Sequence, residues 1–198
     1  MNSKGKVNIK TIAVTGLLTA VAVVLQYIEV VIPIMPSFIK LDFSDIPELI
    51  GAIFFGPVAG VIIAFLKNVI HLLVSQSGFV GELSNFLLGA AFAATAGCLY
   101  RFKKNIFGVI IAGVIGAVEM ALFSVVTNYF IIYPMYYSIM GFPKEAVLGM
   151  YQLLMPSIES IADALMIFNL PFTLVKGLIC VAFTVAVYKP LRIVLKSE

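Results

Sequence analysis

Long apolar runs separated by short polar or turn-forming segments dominate this chain. A helix that crosses a bilayer needs roughly 20 predominantly apolar residues. The runs predict an all-α integral membrane protein with six transmembrane helices, at residues 11–28, 46–55, 58–74, 83–99, 106–132 and about 170–188.

Prolines and glycines indicate where several of these helices end. Pro33 and Pro36 follow the first helix and open a loop, whereas Gly56 and Pro57 form a tight turn between the second and third helices. The run 46–55 is short for a full span. We therefore expect this second helix to enter the membrane at an angle from the preceding loop.

The apolar region after residue 157 is longer than one helix needs. Pro171 lies within it, and a proline interrupts a helix because it lacks an N–H and its ring clashes with the preceding turn. We therefore expect Pro171 to divide the region. The last span would cover about 170–188, with a short, non-spanning helix before it.

The composition excludes a water-soluble domain. Of the 198 residues, 62% are hydrophobic and 12% are charged, and the mean hydropathy is +1.10. Soluble domains hold about 45–50% apolar and about 25% charged residues. The length allows a single membrane domain over residues 1–198. Cys98 and Cys180 lie in apolar runs without a CxxC spacing, so neither indicates redox or metal chemistry.

The positions of the basic residues predict the orientation. With a cytoplasmic N-terminus, nine lysines and arginines lie inside, against Lys40 and Lys144 outside. The nine are Lys4, Lys6, Lys10, Arg101, Lys103, Lys104, Lys189, Arg192 and Lys196. This excess fits the positive-inside rule. We predict that both termini are cytoplasmic, with a tail at 1–10 and outer loops at 29–45 and 133–169, the second containing a short helix.

Several polar residues lie inside the predicted spans or directly at their ends. They are Lys67, Asn68, His71, Ser75, Glu119, Asn128 and Lys176. An ionisable group in mid-membrane costs about 2.5–3.5 kcal/mol even on lenient scales, so it normally faces a cavity or a partner. The first four share one face of the third helix, which should therefore point into the bundle. The pattern predicts a polar patch in the outer half of the membrane.

Catalytic and metal motifs do not occur in this sequence. One histidine, without cysteine or histidine pairs at ligand spacing, disfavours a metal site. No Walker motif, nucleophile elbow or HExxH is found, so we do not expect an enzyme. A polar patch within an apolar bundle is typical of a binding protein for a small, partly polar solute.

The outer loops are rich in aromatic residues and prolines. Residues 32–47 read IPIMPSFIKLDFSDIP, and residues 133–156 add four tyrosines and a phenylalanine. Two interpretations remain open. The aromatic side chains could form a lid over the polar patch, or they could form an aromatic belt at the membrane interface.

Four segments together carry a resemblance to a known family. They are PSFIKLDFSDIPELIGAIFFGPVAGVIIAFLKNVIH, GELSNFLLG, TNYFIIYPMYYSIMG and FNLPFTLVKG, in this order along the chain. The chain resembles the riboflavin-specific S-components (RibU-type) of energy-coupling factor (ECF) transporters. The resemblance extends from the first helix to the end of the sixth. It implies a multi-pass protein of the bacterial cell membrane that captures riboflavin at the extracellular face.

The resemblance also implies the binding residues. Leu41, Asn128 and Lys176 would contact the isoalloxazine ring, whose imide edge an asparagine amide can pair. The apolar end of the ring would lie against Met35, Phe38 and Phe79. The ribityl hydroxyls would bind Glu82 and Asn85. Thr173 stands where the family often has asparagine, so its contact could be shortened or mediated by water. No cofactor is implied beyond riboflavin as transported ligand, and binding of FMN or analogues is left open.

Each of these assignments has a structural alternative. Asn128 could bond a neighbouring helix, Lys176 could pair with Glu119 or another acid, and Glu82 could lie at the start of the fourth helix as a favourable N-terminal charge. Lys67 and His71 are expected to stabilise the bundle rather than bind ligand. Asp42 and Asp45 are expected to cap the helix that follows them.

Uphill transport requires partners, since nothing in the chain hydrolyses ATP. The resemblance implies a membrane coupling subunit, EcfT, and two cytoplasmic ECF ATPases. Gly16 and Ala20 form a small-xxx-small face that permits close helix contact and in the family docks on the coupling subunit. Internal packing is the alternative for these two residues.

Three other functions compete with riboflavin capture. An S-component for a different vitamin or precursor would keep the fold and change the cavity. A small membrane enzyme acting on lipid would need acidic motifs such as DxxD in a pair, and the chain has a single DxxD spacing, at Asp42 and Asp45. A channel or facilitator would need inverted repeats or a polar stripe through the bilayer.

Overall fold

The computed structural model describes residues 9–196, so most of the predicted tail at 1–10 lies outside the described residues. The helices are α1 (Ile9–Tyr27), α2 (Asp45–Phe55), α3 (Pro57–His71), α4 (Val80–Tyr100), α5 (Ile106–Thr127), α6 (Tyr133–Ile139), α7 (Lys144–Leu154), α8 (Ile161–Ala164) and α9 (Leu170–Lys196). A short 3-10 turn, Leu72–Val74, extends α3. The segments 28–44, 75–79 and 140–160 all contribute residues to one cavity, so they lie at the same end of the bundle.

Five helical runs are long and apolar enough to cross a membrane. They are Ile9–Tyr27, Pro57–Val74, Val80–Tyr100, Ile106–Ile139 and Ile161–Leu195. Helix α2 has 11 residues and packs against α3, α4 and α9. The predicted count of six spans is therefore not confirmed, because α2 is too short to cross a bilayer by itself.

The prediction that Pro171 divides the last apolar region is wrong. The chain stays helical from Ile161 to Lys196, and a π turn at Leu165–Asn169 immediately precedes the proline. A π turn widens the helix locally, which accommodates a residue that cannot donate its backbone N–H. The last helix therefore begins before residue 170 and continues beyond residue 188.

A second π turn, Asn128–Ile132, lies in the same position relative to Pro134. It joins α5 to α6, so the fifth helical run ends at Ile139 rather than at residue 132. Only residues 140–160 of the predicted outer loop 133–169 lie between the two long helical runs, and α7 lies within them.

The first outer segment contains a hairpin that hydropathy did not predict. Strands β1 (Val30–Val31) and β2 (Lys40–Leu41) pair antiparallel, with Val30 opposite Leu41 and Val31 opposite Lys40. The two prolines between them, Pro33 and Pro36, lie in the connecting turn. The pairing fixes this segment across the end of the bundle.

Small residues allow helices α2, α3 and α4 to approach closely. A Cβ at Gly89 would overlap the Glu48 Oε2 atom, and one at Gly60 would stand 2.8 Å from the Cβ atoms of Ala52 and Ala93. The Gly89 position therefore leaves room for a buried carboxylate between α2 and α4. At the opposite end of the bundle, the hydroxyls of Tyr100 and Tyr188 hydrogen-bond at 2.6 Å.

Candidate functional site

A cavity of about 640 Å³ lies at the end of the bundle that carries the hairpin. Its walls come from α1, α3, α4, α5 and α9, and the hairpin segment, α6 and α7 cover it. Small-molecule sites typically enclose about 300–1,000 Å³. The volume therefore suits a ligand of the size of a vitamin.

One wall of the cavity carries an ion-paired lysine. The Nζ atom of Lys176 lies 3.0 Å from Asp42 Oδ2 and 3.0 Å from Asp45 Oδ2. All three residues line the cavity. Since an ammonium group has three N–H donors, two carboxylate contacts leave one donor for a ligand. The expected structural alternative, an acid partner for Lys176, is thus present, and the partners are Asp42 and Asp45 rather than Glu119.

The ammonium groups also determine the charge of Asp42. Burial by itself would raise the pKa of the Asp42 carboxyl, but the positive charges of Lys176 and Lys67 outweigh burial. Together with hydrogen bonds from Ser44, they hold this pKa below its usual range. Asp42 therefore remains ionised beside Lys176.

Lys67 lies behind this wall in a buried ionic network. Its side chain is fully buried, and its Nζ atom lies 3.0 Å from Asp45 Oδ1 and 2.6 Å from Glu48 Oε1. It also hydrogen-bonds the Ser44 hydroxyl. The expected bundle-stabilising role of Lys67 is supported by these contacts.

The expectation that Asp42 and Asp45 cap α2 is wrong. The N-cap residue is Ser44, and it makes no side-chain capping hydrogen bond. Asp42 accepts hydrogen bonds from the Ser44 backbone and hydroxyl, and both aspartates pair with lysines instead. Their acidic side chains serve the ionic network rather than the helix end.

A second polar group surrounds Glu82, in the first turn of α4. Its Oε2 atom accepts hydrogen bonds from the hydroxyls of Ser75 at 2.8 Å and Ser77 at 3.0 Å. Its Oε1 atom lies 2.9 Å from His71 Nδ1. On the other side of the imidazole, Glu29 Oε1 lies 3.8 Å from Nε2. Four of these residues face the cavity, so His71 belongs to the wall as well as to the bundle.

Each π turn contributes an asparagine to the cavity. Asn128 opens the first π turn and Asn169 closes the second. The Asn128 side chain is 6% exposed and has no hydrogen-bond partner among residues 9–196, so its amide is available to a ligand. Asn169 is occupied, since it accepts from Tyr151 at 2.6 Å and donates to Tyr133 at 3.2 Å.

Aromatic side chains from both outer segments meet over the cavity. The Phe38 ring lies 6.1 Å from Tyr133, 5.8 Å from Tyr136 and 6.3 Å from Tyr151, measured between centroids. The hydroxyls of Tyr133 and Tyr151 hydrogen-bond each other and thus complete a ring with Asn169. This packing supports the cover interpretation for these four aromatic residues.

We expect Tyr151→Phe to lower the stability of the protein in detergent by about 1–3 kcal/mol. The change removes the Tyr151 hydroxyl, which hydrogen-bonds the buried Asn169 Oδ1 atom and the Tyr133 hydroxyl. The packing of the aromatic ring stays the same. Thermal unfolding monitors the loss. Tyr129→Phe is the control, because the Tyr129 side chain is 45% exposed. Equal melting temperatures for the two variants would show that the ring of hydrogen bonds adds nothing.

The structure places six of the nine predicted binding residues on the cavity wall: Phe38, Glu82, Asn85, Asn128, Thr173 and Lys176. The other three, Leu41, Met35 and Phe79, do not line it. Leu41 pairs with Val30 in the hairpin, and Met35 is buried away from the cavity. Phe79 has a left-handed backbone (φ 68°) and a 45% exposed side chain.

Sequence reasoning did not assign several wall residues to the ligand. They are Gln26, Glu29, Lys40, Asp42, Asp45, His71, Tyr133 and Asn169. The signal available for Asn169 was its position as a polar residue within an apolar run, two residues before Pro171. The remaining residues come together only through the hairpin and the helix packing.

The fold and the cavity define a multi-pass membrane protein that holds a small solute near one membrane face. A family model of the ECF transporter substrate-specific component matches residues 10–188. The chain belongs to this family, the substrate-specific or S components of ECF transporters. The predicted all-α membrane fold of the S-component type is thereby confirmed, without the count of six spans, and a transporter component replaces the alternative of a membrane enzyme.

Known relatives extend the comparison over the whole chain. The riboflavin transporter RibU of Staphylococcus aureus (strain TCH60) is 32% identical over 199 residues, which is 99% of each chain. The riboflavin transporter FmnP of Bacillus subtilis (strain 168) is 27% identical over 174 residues, 86% of each chain. A solved S component of a bacterial ECF transporter superposes with a TM-score of 0.74 at 31% identity, covering 95% of this chain and 98% of that one.

Proposed function

We propose that the protein is the riboflavin-binding subunit of an ECF transporter. It captures riboflavin at the extracellular face, and partner ATPases drive uptake. Relatives named as riboflavin transporters along essentially the full chain support this substrate. The observation that carries the proposal is the unpartnered, buried amide of Asn128 facing a cavity of vitamin size.

The proposed ligand lies with the pyrimidine edge of its ring at Asn128 and Lys176. The Asn128 amide pairs the imide as donor and acceptor together, and the third N–H of Lys176 donates to a ring carbonyl or nitrogen. Thr173 lies on the same wall. Leu88 and Phe38 offer apolar contacts to the rings.

The sugar-like chain of the ligand extends toward Glu82 and Asn85 in this placement. Carboxylate and amide oxygens accept hydrogen bonds from hydroxyl groups, of which a ribityl chain has several. The Asn85 side chain also lies 3.4 Å from Lys67 Nζ, which holds it at the wall. The ligand would thus join the two polar groups of the cavity.

Uptake in this proposal depends on the coupling subunit EcfT and two cytoplasmic ATPases. Gly16 and Ala20 lie on an exposed face of α1, and nothing lies within 4 Å of a Cβ placed at Gly16. The internal-packing alternative for these residues is therefore wrong within the monomer. The face is free to dock on a partner helix, against which the whole subunit reorients to release the vitamin inside.

Asn128→Ala is expected to weaken riboflavin binding by about 1–3 kcal/mol, the cost of an unmade buried hydrogen bond. The full-length protein, purified in detergent, is titrated with riboflavin, and the quenching of flavin fluorescence gives Kd. Thr184→Val is the matched control, since Thr184 is buried with an unpartnered hydroxyl but does not line the cavity. Lys176→Met should weaken binding too, although it also removes the cation beside Asp42 and Asp45.

The outcome that contradicts the site is an unchanged Kd in both Asn128→Ala and Lys176→Met. A wild-type protein that binds thiamin or biotin but no flavin would contradict the proposed substrate while leaving the family intact. Flavin that copurifies with the wild-type protein would support it directly.

A further inference from the structure

We propose that the cavity rejects phosphorylated flavins by charge and that Glu82 is the residue that sets this selectivity. The inference rests on the proposed riboflavin function and deepens it. It names the neutral vitamin, rather than its 5′-phosphate FMN, as the preferred ligand.

Acidic side chains outnumber basic ones on the cavity wall. Four carboxylates line the cavity, those of Glu29, Asp42, Asp45 and Glu82, against the two ammonium groups of Lys40 and Lys176. The net formal charge of these carboxylates and ammonium groups is −2. A phosphate monoester carries about −1.5 to −2 at neutral pH. Such a ligand would enter a site of its own sign.

Both lysines on the cavity wall form ion pairs with carboxylates. Lys40 forms an ion pair with Glu29, and Lys176 is held between Asp42 and Asp45. No lysine on the described cavity wall is thus left without a carboxylate neighbour. A phosphate could pair with Lys40 or Lys176 only by displacing one of their carboxylate partners. The displaced carboxylate would then have no positive charge beside it.

Two backbone amides at the start of α4 already have hydrogen-bond partners. The first amides of a helix are a common phosphate site because they point outward and lie at the positive end of the dipole. Here the Ser75 hydroxyl accepts from the Phe79 amide at 3.1 Å, and the Ser77 hydroxyl accepts from the Gly81 amide at 2.9 Å. Both hydroxyls donate to Glu82. The serine hydroxyls therefore already occupy these two amides, and they hold the negative charge of Glu82 beside them.

Glu82 is the acid whose charge can be removed with least disturbance. Its partners are two hydroxyls and an imidazole, whereas each of the other three acids pairs with a lysine. Glutamine keeps the length and can still accept from Ser75 and Ser77. Glu82→Gln therefore changes the charge of the wall by one unit and preserves its shape.

The test compares the Kd values of riboflavin and FMN for the full-length protein in detergent. The wild-type protein should bind FMN at least about tenfold more weakly than riboflavin, as expected for like charges within one cavity. Glu82→Gln should lower the ratio of the FMN Kd to the riboflavin Kd about tenfold, because both ligands lose the same contact at residue 82 but only FMN loses a charge repulsion. Glu145→Gln, an exposed acid outside the cavity wall, should leave the ratio of the two Kd values unchanged.

A second variant keeps the test decisive if Glu82→Gln does not fold. Glu29→Gln, at a partly exposed position, frees the Lys40 ammonium and should also strengthen FMN binding. Equal wild-type affinity for the two flavins, or a ratio unchanged in both variants, would overturn the charge selectivity alone. Failure of the wild-type protein to bind either flavin would overturn the proposed function and this inference together.

Discussion

Replacing Lys67 with methionine is expected to destabilise the folded protein by about 3–5 kcal/mol, because breaking one partner of a buried ion pair leaves charge uncompensated. The Lys67 side chain is fully buried, and its ammonium group neutralises Asp45 and Glu48. Methionine fills nearly the same volume, so the loss reports charge rather than a cavity. We expect a large fall in the melting temperature of the variant, measured in detergent.

Two further variants separate charge from packing at this position. Lys189→Met, at an exposed lysine near the opposite end of the bundle, should leave the melting temperature unchanged. Adding Glu48→Gln to Lys67→Met removes one of the stranded carboxylates and should recover part of the lost stability. If Lys67→Met unfolds at the wild-type temperature, the network contributes no net stability, and its retention needs another explanation.

The hydropathy pattern predicted where the helices lie better than where they end. The runs predicted at 106–132 and 170–188 are parts of the longer helical runs Ile106–Ile139 and Ile161–Leu195. The second error arose in part because Pro171 was expected to divide the helix. A π turn before each proline accommodates it, and this choice depends on packing against neighbouring helices rather than on local composition.

The depth of the polar residues predicted part of the site. Asn128 and Lys176 were predicted to belong to a polar patch in the outer half of the membrane, and the structure puts both on the cavity wall. The partner of Lys176 could not be predicted, because Asp42 lies 134 residues away. Helical periodicity relates residues within one element only. Contacts between a loop and a distant helix require the fold.

The directions of the side chains in the first outer segment could not be predicted from the sequence either. Phe38 faces the cavity, whereas Leu41 and Met35 do not. Within an extended segment, neighbouring side chains point to opposite sides, so a shift of one residue reverses the assignment. The pairing of β1 with β2 sets this register, and the short strands gave no alternation strong enough to predict it.

The largest expected effect on transport comes from the exposed face of α1. Gly16→Leu combined with Ala20→Leu should abolish riboflavin uptake by cells and leave the Kd for riboflavin unchanged. Small residues allow two membrane helices to approach closely, and two leucines would separate them. Neither residue lines the cavity, and both side-chain positions are exposed in the monomer, so the fold and the binding site should tolerate the change.

Ala182→Leu provides the matched control, since Ala182 is an exposed alanine on a different span, α9. This variant should bind riboflavin and support uptake as the wild-type protein does. Copurification with the coupling subunit distinguishes the causes, because the double leucine variant should lose the complex while Ala182→Leu retains it. Wild-type uptake by the double leucine variant would show that another face carries the docking. In that case Gly16 and Ala20 would contact only lipid, and a different helix would dock on the coupling subunit.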